Sequence, residues 1–126
     1  MRPRQKVFIL VVDDHHTAAM TMSWVLEESG YAAIIASSGT AALNVVSGVA
    51  FDLAILEIVL PGVDGIRIGQ ELGKRLPNCK ILLMSGNAEA TPLLEKAEAD
   101  GIHCDVLSKP IRPPELIAKL ESLLAY

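Results

Sequence analysis

Five polar side chains stand where apolar runs end. Asp13 and Asp14 follow KVFILVV, Glu57 lies near the close of FDLAILEI, Ser85 follows KILLM, and Lys109 follows the run ending at Leu107. Successive steps from Asp13 to Glu57, Ser85 and Lys109 are 44, 28 and 24 residues, each about one strand–helix–strand unit or a little less. Two carboxylates about 5 Å apart at an effective dielectric near 20 repel by roughly 3 kcal/mol. Three of them in one place therefore call for positive charge. Lys109 supplies one, and a hard divalent cation with oxygen ligands supplies two. Mg²⁺ takes one or two carboxylates and keeps several waters, which suits an open rim. Singly, each of these residues is also an ordinary solvated cap or turn former. The expectation of a site rests on the set.

The elements that must position them are legible from patterning. Residues 6–12 are too short for a helix, rich in β-branched side chains and apolar on both faces, as in a strand buried in a parallel sheet. Helical spacing follows from His15 to Ser29, with Ala18, Met22, Val25 and Leu26 on one face and Gly30 as the stop. Ala32–Ala36 reads as a strand, Thr40–Val46 as a helix entered through Ser38-Gly39, and Phe51–Ile58 as a strand closed by the turn LPGVDG. Ile66–Leu76 is helical, with Asp64 as N-cap and Pro77 as terminator. Lys80–Met84 is the fourth strand. A helix starts at Thr91-Pro92 and runs to Ala99, Ile102–Leu107 is the fifth strand, and Pro113-Pro114 opens a helix to Leu124. Five strands alternating with five helices predict right-handed crossovers and a parallel sheet covered on both faces. Functional groups in such sheets gather beyond the carboxyl ends of the strands, where the five residues fall.

Length and composition narrow the class. The chain has 126 residues, enough for one domain that needs no metal or disulfide staple. Hydrophobic residues make up 51% and charged ones 21%, a globular balance. The net charge of −4 offers no basic field for nucleic acid or an anionic membrane. No apolar run approaches membrane-span length, and no cleavable apolar stretch follows the basic N-terminus. A cytoplasmic location is expected. Cys79 and Cys104 fit neither a disulfide framework nor a zinc site and are expected to be reduced, core-like thiols.

At this point ILVVDD (9–14), LPGVDG (60–65), the strand end at Ser85 and SKP (108–110) resemble the receiver domain of bacterial two-component response regulators, over roughly residues 7–124 of one receiver domain spanning 1–126. The resemblance implies a flavodoxin-like, doubly wound five-stranded parallel sheet of order 2-1-3-4-5. It implies a phosphoryl group taken from a sensor histidine kinase onto an aspartate with Mg²⁺ bound. Carried over by position, Asp13, Asp14, the residue at 57 and the Val59 carbonyl would hold the metal. Ser85 would hydrogen-bond the phosphoryl group, Lys109 would pair with it, and Lys109–Pro110 would be cis.

Two departures from the family pattern qualify the resemblance. Glu57 stands where the family has its acceptor aspartate, and its carboxylate lies one methylene further out. A displacement of about an ångström can cost on the order of 100-fold in rate, so Glu57 is expected to fail as an acceptor. It reads instead as an incomplete phosphoaspartate mimic, with one charge against about two. Val106 replaces the usual Tyr or Phe, and valine cannot swing between pocket and surface.

The remaining residues carry blander expectations. His15 and His16 are read as capping or exposed, although His15 lies close enough to the acidic pair to bind a softer metal. Met20, Met22 and Met84 are expected in the core and Trp24 in packing; His103 is placed in or beside the fifth strand. The expected function is a signalling receiver, not an enzyme, with a histidine kinase or downstream effector as protein partner. Relatives often dimerise through the last two helices, which makes a homodimer there an expectation. A phospho-independent interaction module of the same fold is the alternative. An aspartyl-phosphate phosphohydrolase would need a D-x-D after the first strand, where this chain reads VDDHH. A flavin carrier would need a phosphate loop there, and DDHH is acidic.

Overall fold

The computed structural model describes residues 6–86 and 88–125; the basic start of the chain, Asn87 and the aromatic Tyr126 lie outside the described residues. In chain order the elements are β1 (Phe8–Val12), α1 (His16–Glu28), β2 (Ala32–Ala36), α2 (Gly39–Val45) and β3 (Leu53–Glu57). A short ribbon follows, β4 (Val59–Leu60) and β5 (Val63–Asp64), then α3 (Gly65–Arg75), β6 (Lys80–Ser85), α4 (Ala90–Ala99), β7 (Asp105–Ser108) and α5 (Pro113–Leu124). The main sheet is wholly parallel, in the order β2-β1-β3-β6-β7. With the ribbon set aside, this is the flavodoxin-like order 2-1-3-4-5.

The period-two alternation of buried strands divides the core into two layers. Leu10, Val12, Ala54, Leu56 and Leu83 face α2, α3 and α4 through Ala42, Ile66, Ile68, Leu72, Ala90 and Ala97. Ile9, Val11, Leu53, Ile55, Leu82 and Met84 face the opposite way, onto Ala19 and Leu26 of α1 and Leu116 and Leu120 of α5. The three central strands are therefore apolar on both faces and fixed by packing, which holds their carboxyl ends in one plane.

Local signals act as their chemistry dictates. Ser38 Oγ accepts from the Ala41 N–H at 3.0 Å, and Asp64 Oδ1 accepts from the Arg67 N–H at 2.8 Å, so both are N-caps. Leu76 leaves the helical region at φ −128° and ψ 80°, as a residue before proline must. Gly30, Gly62 and Gly101 have positive φ, the region a Cβ disfavours.

Several expectations need correction. The LPGVDG turn is closed by an antiparallel ladder, Val59 opposite Asp64 and Leu60 opposite Val63. The third strand begins at Leu53 and ends at Glu57 rather than spanning 51–58. The fifth strand is Asp105–Ser108, because Ile102 donates its N–H to the Ala97 carbonyl of α4 and pairing with β6 starts only at Asp105. Helix α4 starts at Ala90, which puts Pro92 inside the first turn, where a missing N–H costs no helical bond. On α1 the buried positions are Ala19 and Leu26, while Ala18 is exposed. Met20 and Trp24 are exposed, Trp24 to 66%, so neither fills the core. His103 is exposed and precedes β7.

Cys79 and Cys104 are free thiols immediately before β6 and β7 respectively. Burial, followed by the nearby charge of Asp52, pushes the Cys79 thiol up to about 11. At pH 8 its thiolate fraction is then about two orders of magnitude below that of an ordinary thiol. Native protein titrated with a chromogenic thiol reagent is expected to leave Cys79 unmodified until denaturant is added. Equal labelling of Cys79 before and after denaturation would contradict that burial.

Candidate functional site at the carboxyl rim of the sheet

Asp13 immediately follows β1 and its side chain is only 3% exposed, while Glu57 closes β3 with a side chain 7% exposed. They are the buried charged residues among those described. Lys109 follows β7 and reaches both. Its Nζ lies 2.7 Å from Glu57 Oε2 and 3.7 Å from Asp13 Oδ2, with the lysine side chain 29% exposed. The Glu57 contact is a close ion pair that occupies a buried carboxylate oxygen. Burial pulls the Lys109 pKa down, but the close contact and charge of Glu57, and then those of Asp13, outweigh it. The net direction is upward from 10.5.

The backbone places Lys109 by two devices. Its N–H donates to the Ser85 carbonyl at 2.8 Å, one step past the Ser85–Ser108 pair of the β6–β7 ladder. The Lys109–Pro110 bond is cis. Gly86 completes the cradle: a Cβ there would come within 2.7 Å of Lys109 Cδ and 3.0 Å of its Cβ. The aliphatic stem therefore lies along bare backbone.

Gly65 plays the matching part for Glu57. It donates its N–H to the Ile58 carbonyl at 2.6 Å, and a Cβ on it would collide with the Glu57 carbonyl oxygen. Gly65→Ala is expected to destabilise the fold by at least about 2 kcal/mol and to move Glu57. Equilibrium denaturation checks this, and wild-type stability in the variant would rule out the close approach. Sequence reading assigned Gly65 to turn formation and gave no role to Gly86. Neither approach has a local signal, because each involves a residue from another strand end.

Asp13 and Asp14 gather a third group. The His15 N–H donates to Asp13 Oδ1 at 2.9 Å, and His15 Nδ1 stands 3.3 Å from Asp13 Oδ1 and 3.5 Å from Asp14 Oδ1. His15 occupies the N-cap position of α1 without a side-chain capping bond. One ligand atom from each of Asp13, Asp14 and His15 lies within 4.8 Å of the others.

The rim thus brings Asp13, Glu57 and Lys109 into contact, joins Asp14 to Asp13 through His15, and links Ser85 to Lys109 through the backbone. Val59 opens β4 opposite Asp64. The Asp13–Asp14 carboxylate pair makes an oxygen donor set that fits a divalent cation with its hydration water, while the buried Glu57 Oε2 is taken by Lys109. Among the described residues, no helix is long and apolar enough to cross a membrane.

The chain is 32% identical over 116 residues to the alkaline phosphatase synthesis transcriptional regulatory protein PhoP of Bacillus subtilis (strain 168), covering 92% of this chain and 48% of PhoP. It spans about half the length of the curated relatives it matches. Its fold superposes on a CheY-like response regulator receiver domain protein from Methanospirillum hungatei with a TM-score of 0.82 and 25% identity, covering 95% and 94% of the two chains. A two-component response regulator from Clostridium difficile gives 0.81 and 27%, covering 94% and 96%. The family model for the response regulator receiver domain matches residues 9–121. A parallel sheet with an acidic rim, a lysine across from it and this match along nearly the whole chain lead to one assignment: the chain belongs to the response regulator receiver domain family.

Proposed function

We propose that this receiver domain regulates protein partners without accepting a phosphoryl group at Glu57, which occupies the acceptor place. One observation carries the reading. The ammonium that the family uses to pair with the phosphoryl group is here 2.7 Å from Glu57 Oε2. The glutamate thus meets Lys109 with its own charge, as a phosphoryl group would, though with one charge against about two. In the same reading Asp13 and Asp14, with the rim at Val59, hold Mg²⁺, which would neutralise acidic charge there. Ser85 stands at the end of β6 beside Lys109, where its hydroxyl would contact a phosphoryl group.

The domain acts by contact rather than catalysis. Its partners are a sensor histidine kinase or a downstream effector in the cytoplasm, and the net charge of −4 favours protein over nucleic acid. Val106 is half-buried among the apolar residues of the α2–α3–α4 layer, so no aromatic ring at that position reports the state of the rim.

Incubation with Mg²⁺ and acetyl phosphate, followed by intact-mass measurement, tests the reading. The chain is expected to keep its unmodified mass. A phosphorylated species mapped to Glu57 would overturn it.

A further inference from the structure

We infer that a second copy of this chain adds to the outer edge of β2 by antiparallel β2–β2 pairing about a two-fold axis at Ile34, with Met20 and Trp24 of α1 closing the contact beside it. Strand β2 ends the sheet and pairs only with β1 among the described residues. The Ala32 N–H donates to the Val7 carbonyl, and the Ala36 carbonyl accepts from the Asp13 N–H. The even-numbered residues therefore turn their peptide groups to β1, and the alternation turns those of Ala33 and Ile35 outward. Free edges are ordinarily blunted by lysine, proline or a bulge. The segment AAIIA carries no charge and no proline, and its pairing to β1 is unbroken from Ala32 to Ala36. The opposite edge, β7, carries Asp105, 3.5 Å from Lys119.

The outward groups complement themselves. A two-fold axis at Ile34 sets Ala33 opposite Ile35 of the other copy, twice over, and each such pair exchanges two hydrogen bonds. Ile34 then faces its own copy on the α2 side of the sheet, a β-branched cross-strand pair.

Helix α1 supplies the apolar part of the contact. It lies over β1 and β2, so pairing leaves the two α1 axes two strand spacings apart, about 9–10 Å, the distance of packed helices. Ala18, Met22 and Val25 turn toward α5, which is tied to β7 through Lys119, and Ala19 and Leu26 face the sheet. The helical period puts Met20 on the opposite flank, beside the free edge, with Trp24 next to it. They are 37% and 66% exposed and count among the exposed large hydrophobic residues. Both α1 and β2 span the sheet, so the same axis passes near Met22 and runs the two helices antiparallel. Met20 of each copy then meets Trp24 of the other, a sulfur–aromatic contact. His16 stands opposite Glu28 and Thr17 opposite Glu27, so no like charges meet.

Sedimentation equilibrium of the full chain from about 1 μM to 1 mM tests this. The chain is expected to dimerise within that range, and the emission of Trp24, its one tryptophan, to shift to the blue as the ring is covered. The Ala33 and Ile35 amides should exchange at least about 10-fold more slowly in the dimer than at dilution. Trp24→Glu should weaken the dimer at least about 10-fold. Ala33→Pro, which removes an outward donor on an edge strand where proline is tolerated, should do the same. If Ala33→Pro does not fold, Trp24→Glu decides, because it alters an exposed side chain. A chain that stays monomeric to the top of the range overturns the inference. So does a dimer that survives Trp24→Glu with Ala33 and Ile35 unprotected, which would place the contact elsewhere, such as the last two helices.

Discussion

Glu57→Asp is expected to convert the chain into a phosphoryl acceptor. Incubated with Mg²⁺ and acetyl phosphate, the variant should gain about 80 Da, one phosphoryl group, at a rate at least about 100-fold above any modification of the unaltered chain. The Glu57 carboxylate is carried one methylene beyond the aspartate position and lies against Lys109 at 2.7 Å. Shortening the arm withdraws the oxygen toward the strand end and frees the space between it and the ammonium. The groups needed around that space, Asp13, Asp14, Ser85 and Lys109, sit on the same rim and are unaltered. Intact mass gives the yield and peptide mapping the site. An aspartate variant that stays unmodified would mean that the defect lies elsewhere in the rim, and the proposed role of Glu57 would fall.

The second large effect concerns stability. Lys109→Ala leaves Asp13 and Glu57 as two buried carboxylates without their shared cation. Removing one partner of a buried pair costs about 3–5 kcal/mol, and the partial exposure of Lys109 puts the expected loss near the lower end, about 3 kcal/mol. For a domain of this size that lowers the melting temperature by roughly 10–15 °C. Lys109→Met separates the charge from the stem packed along Gly86, because it keeps most of the apolar length. If Lys109→Met melts with the unaltered chain, the ion pair does not stabilise the rim. The pH dependence has a definite sign. The folded-state pKa of Lys109 is raised above 10.5, so its stabilising contribution is complete below 10.5 and fades as pH rises through the folded value. The gap between the unaltered chain and Lys109→Met should stay steady from neutral pH to about 10 and narrow above it.

Much of this molecule is legible in one dimension. Within KVFILVV and FDLAILEI, residues 9–12 and 53–56 are apolar at every step because both faces of β1 and β3 are covered there. Strands of that kind, separated by helical periodicity, admit few arrangements other than a doubly wound parallel sheet. The caps Ser38 and Asp64 and the stop before Pro77 are local chemistry, and the structure realises all three. The placement of Asp13, Glu57, Ser85 and Lys109 at strand ends follows from the same periodicity.

Other features depend on partners that the local sequence does not contain. The fifth strand starts late because Ile102 is tied to Ala97 of α4. Trp24 and Met20 look like core residues by type, but α1 turns its Ala19–Leu26 face to the sheet and leaves them outside. A helical pattern so rich in apolar residues gives more than one plausible buried stripe, and packing against β1, β2 and α5 selects one. The glycine at 65 reads as a turn former and the one at 86 carries no local signal, yet each makes room for a group from another segment.

The sequence by itself determined the sheet, the order of its elements and the set of charged residues at its rim, because hydrophobic period and turn chemistry are local and repetitive. Only the tertiary structure decided how those charges are shared: Lys109 goes to Glu57 and Asp13, and His15 to the two aspartates. That division depends on distances of a few ångströms between side chains that are 44 and 52 residues apart along the chain, and at this range the Coulomb energy changes by kilocalories per mole with each ångström in a partly buried site.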